Sequence, residues 1–358
     1  MWRMLSLLAA IALVVVSSVP AAVLADECDQ FAVLQLSLPD GGAKLDITGP
    51  SNVFGNLGIG PSGRGSRTGD SEVTGTVCLH DNPPATFQQS GGGGVGAIVT
   101  TSLSKPIDDA LMTAAKLAAL DPTMVLDRIG QGDMITGNGG LNVIAVGDID
   151  LSSGAATLEG TSDDIFVFNI SGKFKLSGGT AIQLSDGVVP AHVFYNFLGT
   201  GEDVAFSGGS TAPGTFLAPE RKVALSPGFV EGSVTAGHDI SITSGGEVTF
   251  VENPCELRLD LANEVVPPGG ELGFSVYLLH TRARDAHAAF WLSIEDAGGK
   301  VLESVHSRQF AISLLDQLRL SASIPIPPKA LPGQYRAILQ IANMKQGIAR
   351  TERTFTVN

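Results

Sequence analysis

One seven-residue pattern recurs five times in the middle of the chain and limits what the chain can fold into. Each copy has a charged residue, an apolar residue, a variable residue, a second apolar residue, a hydroxyl residue, a variable residue and a glycine. The copies are Asp148-Ile-Asp-Leu-Ser-Ser-Gly154, Lys173-Phe-Lys-Leu-Ser-Gly-Gly179, Asp203-Val-Ala-Phe-Ser-Gly-Gly209, Lys222-Val-Ala-Leu-Ser-Pro-Gly228 and Asp239-Ile-Ser-Ile-Thr-Ser-Gly245. Apolar residues two positions apart share one face of a strand, and a hydroxyl followed by glycine favours a turn. The pattern predicts a strand that leads into a corner.

The spacing of the copies indicates a repeat architecture. Their final glycines recur after 25, 30, 19 and 17 residues, which suits one coil of a β-solenoid with variable insertions. A second apolar strand precedes each copy, and we expect its aromatic residues, Phe168 among them, to point inward. A sixth, degenerate copy, Lys44-Leu-Asp-Ile-Thr-Gly49, predicts a further coil near the N-terminus. Stacked coils can bury an apolar face that a single coil cannot.

The charged residues that open the copies alternate in sign along the sequence. They are Lys44, Asp148, Lys173, Asp203, Lys222 and Asp239. If coils that follow in sequence are neighbours, each charge faces the opposite sign above and below it. The sequence therefore predicts a charge ladder whose role is to fix the register of stacking.

The outward positions of the predicted coils are chemically mixed. Those between the two apolar residues are Asp150, Lys175, Ala205, Ala224 and Ser241, and comparable places on the preceding strand hold Ile144, Asn169, Leu217 and Thr235. The hydroxyl column is regular, but we interpret its members as bonded to the turn backbone; they are Ser152, Ser177, Ser207, Ser226 and Thr243. An ice surface is a lattice and calls for one repeated chemistry, so these columns predict neither thermal hysteresis nor inhibition of ice recrystallisation.

Three further segments complete the predicted organisation. Residues 60–96 are rich in Gly, Ser and Pro and are interpreted as turns and a mobile loop. Residues 104–120 form an apolar stripe at helical spacing, with Pro106 in the first turn, which predicts one long helix packed along the solenoid. Residues 256–358 carry short alternating strands between Gly- and Pro-rich turns, typical of an immunoglobulin-like β-sandwich. The predicted domains are a solenoid over 26–252 and a sandwich over 256–358.

The N-terminus has the pattern of a secretory signal peptide. Arg3 is followed by an apolar stretch and by the small-residue cleavage signal Val23-Leu-Ala25, so residues 1–25 are predicted to be removed and the protein to be secreted, either extracellular or at the cell surface. Three cysteines, Cys28, Cys78 and Cys255, then allow one internal disulfide. We favour Cys28 with Cys78, which flank the first sheet-like region, whereas Cys28 with Cys255 would join the two ends of the solenoid.

Charge and motif content exclude several classes of function. The formal charge of -14 argues against nucleic acid or an anionic membrane as partner. No catalytic motif is present, and the segment Gly58-Ile-Gly-Pro-Ser-Gly63 matches the dinucleotide-binding fingerprint only in spelling, since a proline and more glycines stand where its helix should begin. The six histidines are scattered at positions interpreted as surface or strand. Neighbouring carboxylates could hold calcium, but without a regular calcium-binding repeat we interpret them as solvated turn residues; the pairs are Asp148 with Asp150, Asp163 with Asp164 and Glu202 with Asp203. The sequence predicts no enzyme, no cofactor and no metal.

Four segments carry a resemblance to a known family. They are Phe166-Val-Phe-Asn-Ile170, Val193-Phe-Tyr-Asn-Phe197, Gly214-Thr-Phe-Leu-Ala-Pro219 and Phe229-Val-Glu-Gly-Ser-Val-Thr-Ala-Gly237. They resemble the exported bacterial choice-of-anchor A domains and the wider ice-binding-protein-like solenoids. This resemblance covers roughly residues 30–250 and implies a right-handed β-solenoid with a helix alongside, in a secreted or surface-displayed protein without a catalytic centre.

Three functions are compatible with these observations. The mixed outward columns favour a secreted adhesion or matrix module that holds an extracellular protein or glycan on a solenoid face. Ice binding is the alternative, and it needs a flat array of small residues. A polysaccharide-degrading solenoid enzyme comes third, since it would need clustered carboxylates on successive coils.

Overall fold

A computed structural model describes residues 28–37, 42–251, 255–280, 286–306, 310–312, 315, 317–343 and 347–358. The predicted signal peptide lies outside these residues. Up to residue 251 the strands are β1 (Val33–Gln35), β2 (Lys44–Thr48), β3 (Asn52–Phe54), β4 (Leu57–Ile59), β5 (Arg64–Thr68), β6 (Glu72–His80), β7 (Thr86–Ser90), β8 (Val95–Thr101), β9 (Met124–Ile129), β10 (Met134–Thr136), β11 (Leu141–Leu151), β12 (Ala155–Glu159), β13 (Ile165–Ile170), β14 (Phe174–Leu176), β15 (Ala181–Ser185), β16 (Val193–Phe197), β17 (Val204–Ala218), β18 (Val223–Ala236), β19 (Ile240–Ile242) and β20 (Glu247–Thr249).

These twenty strands form one parallel sheet wound into a β-solenoid of about ten turns, which confirms the predicted fold class. Each turn presents up to three faces, and the long strands β11, β17 and β18 bend round its corners. The corner glycines supply the left-handed backbone that such a bend requires: Gly154 has φ +66 and Gly245 has φ +87. The pattern of strand, hydroxyl and glycine was therefore a valid signal for a corner.

The order of coils in space differs from their order in sequence. Beginning at β9, the chain stacks upward through β11, β13, β16 and β17 to β18. The N-terminal strand β1 then lies beside β18, with Val33 opposite Val234, and β4, β6 and β8 follow. The four N-terminal coils thus form the far end of the stack rather than the end beside β9.

A helix, α1 (Ser104–Ala118), connects the two ends. It leaves from β8 at one end of the stack, and the chain re-enters the sheet at β9 at the other. Ile107 and Ala110 pack over the Cys28–Cys78 region, and Ala114 and Leu117 pack on Val167 and its neighbours. The predicted helix packed along the solenoid is confirmed.

Residues 60–96 are not a mobile loop as predicted from the sequence. Strands β5, β6, β7 and the start of β8 occupy this region and form regular coils. Several core-facing positions here lack a large apolar side chain. Gly65 and Arg67, for example, are in register with Leu45 and Ile47 of the adjacent coil. The glycine-rich run Gly91–Gly94 is only the turn between β7 and β8.

The solenoid core is a column of aliphatic and aromatic side chains. Phe168 is 1% exposed and its ring stacks on Tyr195 with centroids 5.3 Å apart, so its predicted inward orientation is confirmed. Phe174 and Phe216 continue the cluster, with centroids 5.5 Å apart. Burial raises the pKa of Tyr195, since its ionised form would lie in this apolar interior.

The C-terminal region is a second β-structure with its own core. Its strands are β21 (Cys255–Leu261), β22 (Val265–Val266), β23 (Glu271–His280), β24 (Ala286–Asp296), β25 (Val301–His306), β26 (Phe310–Ile312), β27 (Gln317–Pro325), β28 (Gly333–Asn343) and β29 (Gly347–Val357). They form a three-stranded and a six-stranded sheet, antiparallel except at the β22–β29 pair. Phe274 and Ile324 from one sheet share an apolar cluster with Leu292, Leu339 and Phe355 from the other, which gives the predicted sandwich.

Candidate functional site

The three faces of the solenoid differ in what they offer to a partner. The first face is covered by α1. Its outward side chains Val167, Phe194 and Leu217 are buried against the helix. This face therefore forms an internal boundary of the fold.

Two asparagines anchor the helix to this first face. The Asn169 side-chain amide donates to the Leu117 carbonyl over 2.8 Å, and the Asn196 amide donates to the Ala114 carbonyl over 3.0 Å. Both asparagines are buried. The sequence-based assignment of outward residues was therefore wrong here: Ile144 lies in the core, and Asn169, Leu217 and Thr235 are buried on the helix-covered face.

The second face, built from β11, β14, β17, β18, β19, β2, β5 and β7, is open to solvent. It carries an unbroken column of hydroxyl residues at the end of each strand, which we call the hydroxyl column. In spatial order its members are Ser152, Ser177, Ser207, Ser226, Thr243, Thr48, Thr68 and Ser90. Strands in a sheet lie about 4.8 Å apart, so the column repeats one hydroxyl over about 34 Å.

These hydroxyls are not generally bonded to the turn backbone, in contrast to the sequence-based interpretation. Ser177 alone among the eight donates to a carbonyl, that of Leu151, over a long 3.4 Å. Thr243 donates to the neighbouring Ser226 hydroxyl over 2.9 Å, along the column. All eight side chains are exposed or half-buried, so the column is accessible.

A second outward column on this face changes character along the stack. Its first two members are the charged Asp150 and Lys175, and the next three are the small Ala205, Ala224 and Ser241. Beyond these lie Asp46, Ser66 and Gln88, where the Ser66 hydroxyl donates to the Asp46 carboxylate over 2.6 Å. Six adjacent coils, from Ala205 to Gln88, therefore present mostly small polar or methyl groups beside the hydroxyl column.

The predicted charge-ladder residues form the third column of this face. Lys44 lies next to Asp239 rather than before Asp148, because the N-terminal coils stack on the last coil. The spatial order is Arg128, Asp148, Lys173, Asp203, Lys222, Asp239, Lys44 and Arg64. The signs alternate from Arg128 to Lys44, and only Lys44 and Arg64 are like-charged neighbours.

Not every contact in this column joins the expected side chains. Lys222 Nζ lies 3.0 Å from Asp239, whereas Lys173 Nζ pairs at 2.7 Å with Asp150 in the adjacent column. Asp148 and Asp239 instead accept backbone N–H groups of the next coil, from Lys173 and Lys44, each over 2.9 Å. The acidic members thus join coils through the backbone as well as through charge.

The ionisation of this column follows from these contacts. The Lys173 ammonium beside Asp150 holds the pKa of that carboxyl below its usual value. Burial alone would raise the pKa of Asp239, but bonds from the Lys44 backbone and the Lys222 ammonium lower it. The pKa values of Lys173 and Lys222 are raised by the same carboxylates, so both signs stay charged at neutral pH.

The third face is irregular and partly apolar. Phe54 and Phe229 are exposed on it, two coils apart and offset by two positions along the strand. Beside Phe229 lies an open groove of about 540 Å³ bordered by Val188, Pro190, Pro213 and Glu231. No single outward chemistry repeats along this face.

The remaining predicted site residues have structural positions. Cys28 and Cys78 form a disulfide beneath the start of α1, and the side chain of Cys255 lies outside the described ones. His80 is buried, where it accepts the Leu103 N–H over 3.0 Å, and His192 is buried in the 3-10 helix Pro190–His192. His80 ends strand β6 and so agrees with the expectation of a surface or strand position, whereas His192, which is buried and not in a strand, corrects it.

Asp164, of the acidic pair Asp163 and Asp164, is used by hydrogen bonds within the fold. Its carboxylate accepts the Gly139 N–H over 2.7 Å, the Thr161 N–H over 2.8 Å and the Asn142 amide over 3.0 Å. The adjacent Asp163 pairs with Arg258. The described residues contain no group of three or more His, Cys, Asp or Glu side chains placed to hold a metal ion.

As with Arg67, sequence reasoning missed the buried cation Arg221. Its guanidinium donates to the carbonyls of Gly199 over 3.1 Å, Leu198 over 2.9 Å and Ser171 over 3.2 Å, and also to that of Gly172. The group lies 5.7 Å from the centre of the Phe197 ring. Burial lowers the pKa of Arg221. Its hydrogen bonds to carbonyls of two other coils hold three coils together at the corner between the first two faces.

Comparison with known families identifies the solenoid. Residues 41–247 match the sequence profile of the ice-binding-like family. The chain belongs to this family. The match spans more than half of the chain and includes the helix and nearly all of the solenoid strands. The finer likeness to choice-of-anchor A domains stays a prediction.

Several solved structures resemble this family member over about two thirds of its length. An ice-binding protein from the Antarctic ascomycete Antarctomyces psychrotrophicus is 18% identical, with a TM-score of 0.42, over 64% of this chain and 98% of that one. An ice-binding protein from an Arctic yeast is 16% identical, with a TM-score of 0.43, over 64% and 94%. One from an Antarctic biological consortium is 18% identical, with a TM-score of 0.45, over 68% and 98%. No curated protein matches the chain in sequence.

Within the part of the chain that the structure describes, no helix combines the length and the apolar character needed to cross a membrane.

Proposed function

We propose that this protein is a secreted, non-enzymatic ice-binding protein and that the second face of the solenoid contacts the ice. The observation that carries the proposal is the hydroxyl column, which presents the same group at the same height on eight adjacent coils. Ice is a periodic array of water molecules, so a surface that adsorbs to it must repeat its chemistry at a constant spacing. Membership of the ice-binding-like family supports this choice.

The proposal reverses the sequence-based preference for adhesion. That preference rested on the mixed chemistry of the outward columns and on the interpretation of five hydroxyls as bonded to their own turns. Thr48, Thr68 and Ser90 extend the column to eight, and only Ser177 bonds to a backbone carbonyl. The first face is covered by the helix and the third is irregular, which leaves the second face as the best candidate.

The contact area is expected to centre on the coils from Ala205 to Gln88. There the column beside the hydroxyls holds mostly small groups that leave the face flat. Toward β11, the same face carries the strongly hydrated Asp150–Lys173 ion pair. There both columns beside the hydroxyls carry charges, unlike most of the coils from Ala205 to Gln88, so we place this part of the face outside the contact.

The test compares ice recrystallisation and thermal hysteresis for the exported chain and two matched variants. Ser226→Tyr places a ring on the exposed centre of the hydroxyl column, whereas Gln183→Tyr places the same ring on an exposed strand position of the third face. We expect the first variant to lose activity and the second to keep it. An inactive wild-type chain, or equal loss in both variants, would contradict the proposal.

A second candidate function is favoured by the third face. Exposed Phe229 borders the groove described above, and Glu231 and Thr211 supply polar groups at its rim. An apolar patch with a polar rim suits an extracellular protein or glycan. Binding to a glycan or matrix-protein array that is lost in Phe229→Ala, while ice activity is retained, would establish adhesion as an additional function.

A further inference from the structure

The two ends of the solenoid are built differently. At one end β9 and β10 each have a single neighbour among the described strands, and at the other end the same is true of β7 and β8. Each end therefore presents an unpaired strand edge whose backbone groups can pair with another chain. Whether an edge stays unpaired depends on the charged and apolar side chains that surround it.

The end formed by β9 and β10 is protected. Exposed Asp127, Arg128 and Asp133 flank its edge, and charges of this kind oppose pairing with a second edge. Its core residues are closed off, since Ile129 is 2% and Ile135 is 4% exposed. Some outward apolar residues, such as Val125, remain exposed, but they stand among these charges.

The end formed by β7 and β8 has no such protection. The sequence from Asn82 to Ser104 contains no Lys, Arg, Asp or Glu. Ile98, in register with the core residue Val77, is 44% exposed, and Phe87 and Val95 of the same coil are only half-buried. An uncharged edge with an open apolar core is the arrangement that soluble β-proteins avoid unless the edge is covered.

We infer that a second copy of this chain covers this end, so that the protein forms a dimer through the edges of β7 and β8. The two ends differ in charge, and the uncharged end matches itself better than it matches the end carrying Asp127 and Arg128. Pairing of like ends is isologous and closes at two subunits, whereas pairing of unlike ends would continue into a filament. Across a two-fold axis the paired strands run antiparallel, which satisfies their free N–H and C=O groups.

The proposed interface combines apolar and uncharged polar side chains. Its centre is formed by Phe87, Val95 and Ile98 of both copies, which removes the open core from water. Beside them lie Gln89 and Thr100, which are exposed at this end and carry no charge. The contact is one coil edge wide, so the dimer is expected to be weak and to depend on concentration.

Sedimentation velocity of the exported chain over a concentration series tests the inference. We expect the sedimentation coefficient to rise from that of a monomer to that of a dimer and to go no further. Ile98→Lys places two like charges in the apolar centre and should weaken association by at least about tenfold. Val125→Lys, a charge of the same sign on exposed β9 at the opposite end, should leave association unchanged.

A mixture tests the symmetry of the interface. Gln89→Lys and Gln89→Glu should each dimerise poorly alone and should associate when combined, because opposite charges then meet at the same interface. Melting curves followed by circular dichroism identify variants that fail to fold. A wild-type chain that stays monomeric at all concentrations, or association lost in Val125→Lys, would overturn the proposed dimer.

Discussion

The amide of Asn196 donates to the side-chain carbonyl of Asn169 over 2.8 Å, one coil away, beneath the helix. Asn196 also donates to the Ala114 carbonyl, and Asn169 donates to the Leu117 carbonyl. Leu117 lies in the last turn of α1, where no following helical turn supplies i+4 N–H donors, and its carbonyl otherwise accepts the Leu120 N–H over a long 3.3 Å; Ala114 lies just before this turn. A two-residue asparagine stack thus fixes the C-terminal end of the helix on the solenoid.

The first prediction concerns this asparagine stack. Asn196→Asp replaces an amide donor by an acceptor that faces the Ala114 carbonyl and the Asn169 oxygen, in a site shielded from water. We expect the free energy of unfolding to fall by roughly 1–3 kcal/mol, because buried acceptors are left without donors. Chemical denaturation measures the loss. Asn52→Asp, on the half-buried third face, is the control and should change little.

The second prediction concerns Arg221. Arg221→Met keeps much of the side-chain volume but removes the donors to four carbonyls on two neighbouring coils, and we expect a loss of roughly 3 kcal/mol. Arg221→Lys should not restore stability, since one ammonium cannot reproduce a planar guanidinium that bonds in several directions. A lysine variant as stable as wild type would show that charge alone is needed.

The third prediction concerns acid stability. Burial alone would raise the pKa of Asp164, but bonds from the Thr161 and Gly139 backbone and from the Asn142 amide hold it below the ordinary 3.8. A depressed folded pKa stabilises the fold above the unfolded pKa, and this contribution disappears as pH falls through the folded value. We therefore expect stability to decline below about pH 4. Asp164→Asn should weaken the fold at neutral pH and make the decline shallower.

The fourth prediction concerns the charge column. Lys222→Asp places three acidic residues in successive coils, Asp203, the new residue and Asp239, and should lower the melting temperature at low salt. Combining it with Asp239→Lys restores the Lys222–Asp239 attraction, with reversed sign, and should recover part of the loss. Because these side chains are exposed, the difference should shrink as salt is added. A salt-independent effect would mean that charge is not its cause.

The fifth prediction concerns the domain boundary. Residues 256–358 contain two sheets that share one apolar core, so we expect this fragment to fold by itself into a cooperative all-β unit. Its Arg258 pairs with Asp163 of the solenoid, a contact that the fragment would lose. Circular dichroism and thermal unfolding of the fragment measure this. An unfolded spectrum would show that the sandwich depends on the solenoid.

The sequence was informative where core positions were apolar and less so where they were not. The five central copies each pair two apolar residues, and they led directly to the solenoid and its corners. Further along the stack, the equivalent strands are Arg64-Gly-Ser-Arg-Thr68 and Thr86-Phe-Gln-Gln-Ser90, which come earlier in the sequence. Their inward residues include Gly65, Arg67 and Gln89, so the alternation that reveals a strand is absent. The hydroxyls Thr68 and Ser90 were the remaining signal, and they were missed.

Long-range contacts were beyond the reach of the sequence pattern. The position of Lys44 beside Asp239 depends on β1 joining β18, and no local feature encodes that pairing. For the same reason Thr235 looked like an outward residue available to a ligand. A side chain that points away from the sheet is still buried where the helix α1 covers that face. The donors of Arg221 likewise reach carbonyls that are 22 to 50 residues away in sequence.

The out-of-order stacking of the coils has a consequence for biosynthesis. Val33 finds its strand partner Val234 only after about 200 further residues have been made, so the N-terminal coils emerge with one edge of their sheet unpaired. Closing such a separation makes folding slow, and exposed edges invite misassembly in the meantime. The junction between β1 and β18 is therefore the step at which an early and a late part of the polypeptide become one solenoid.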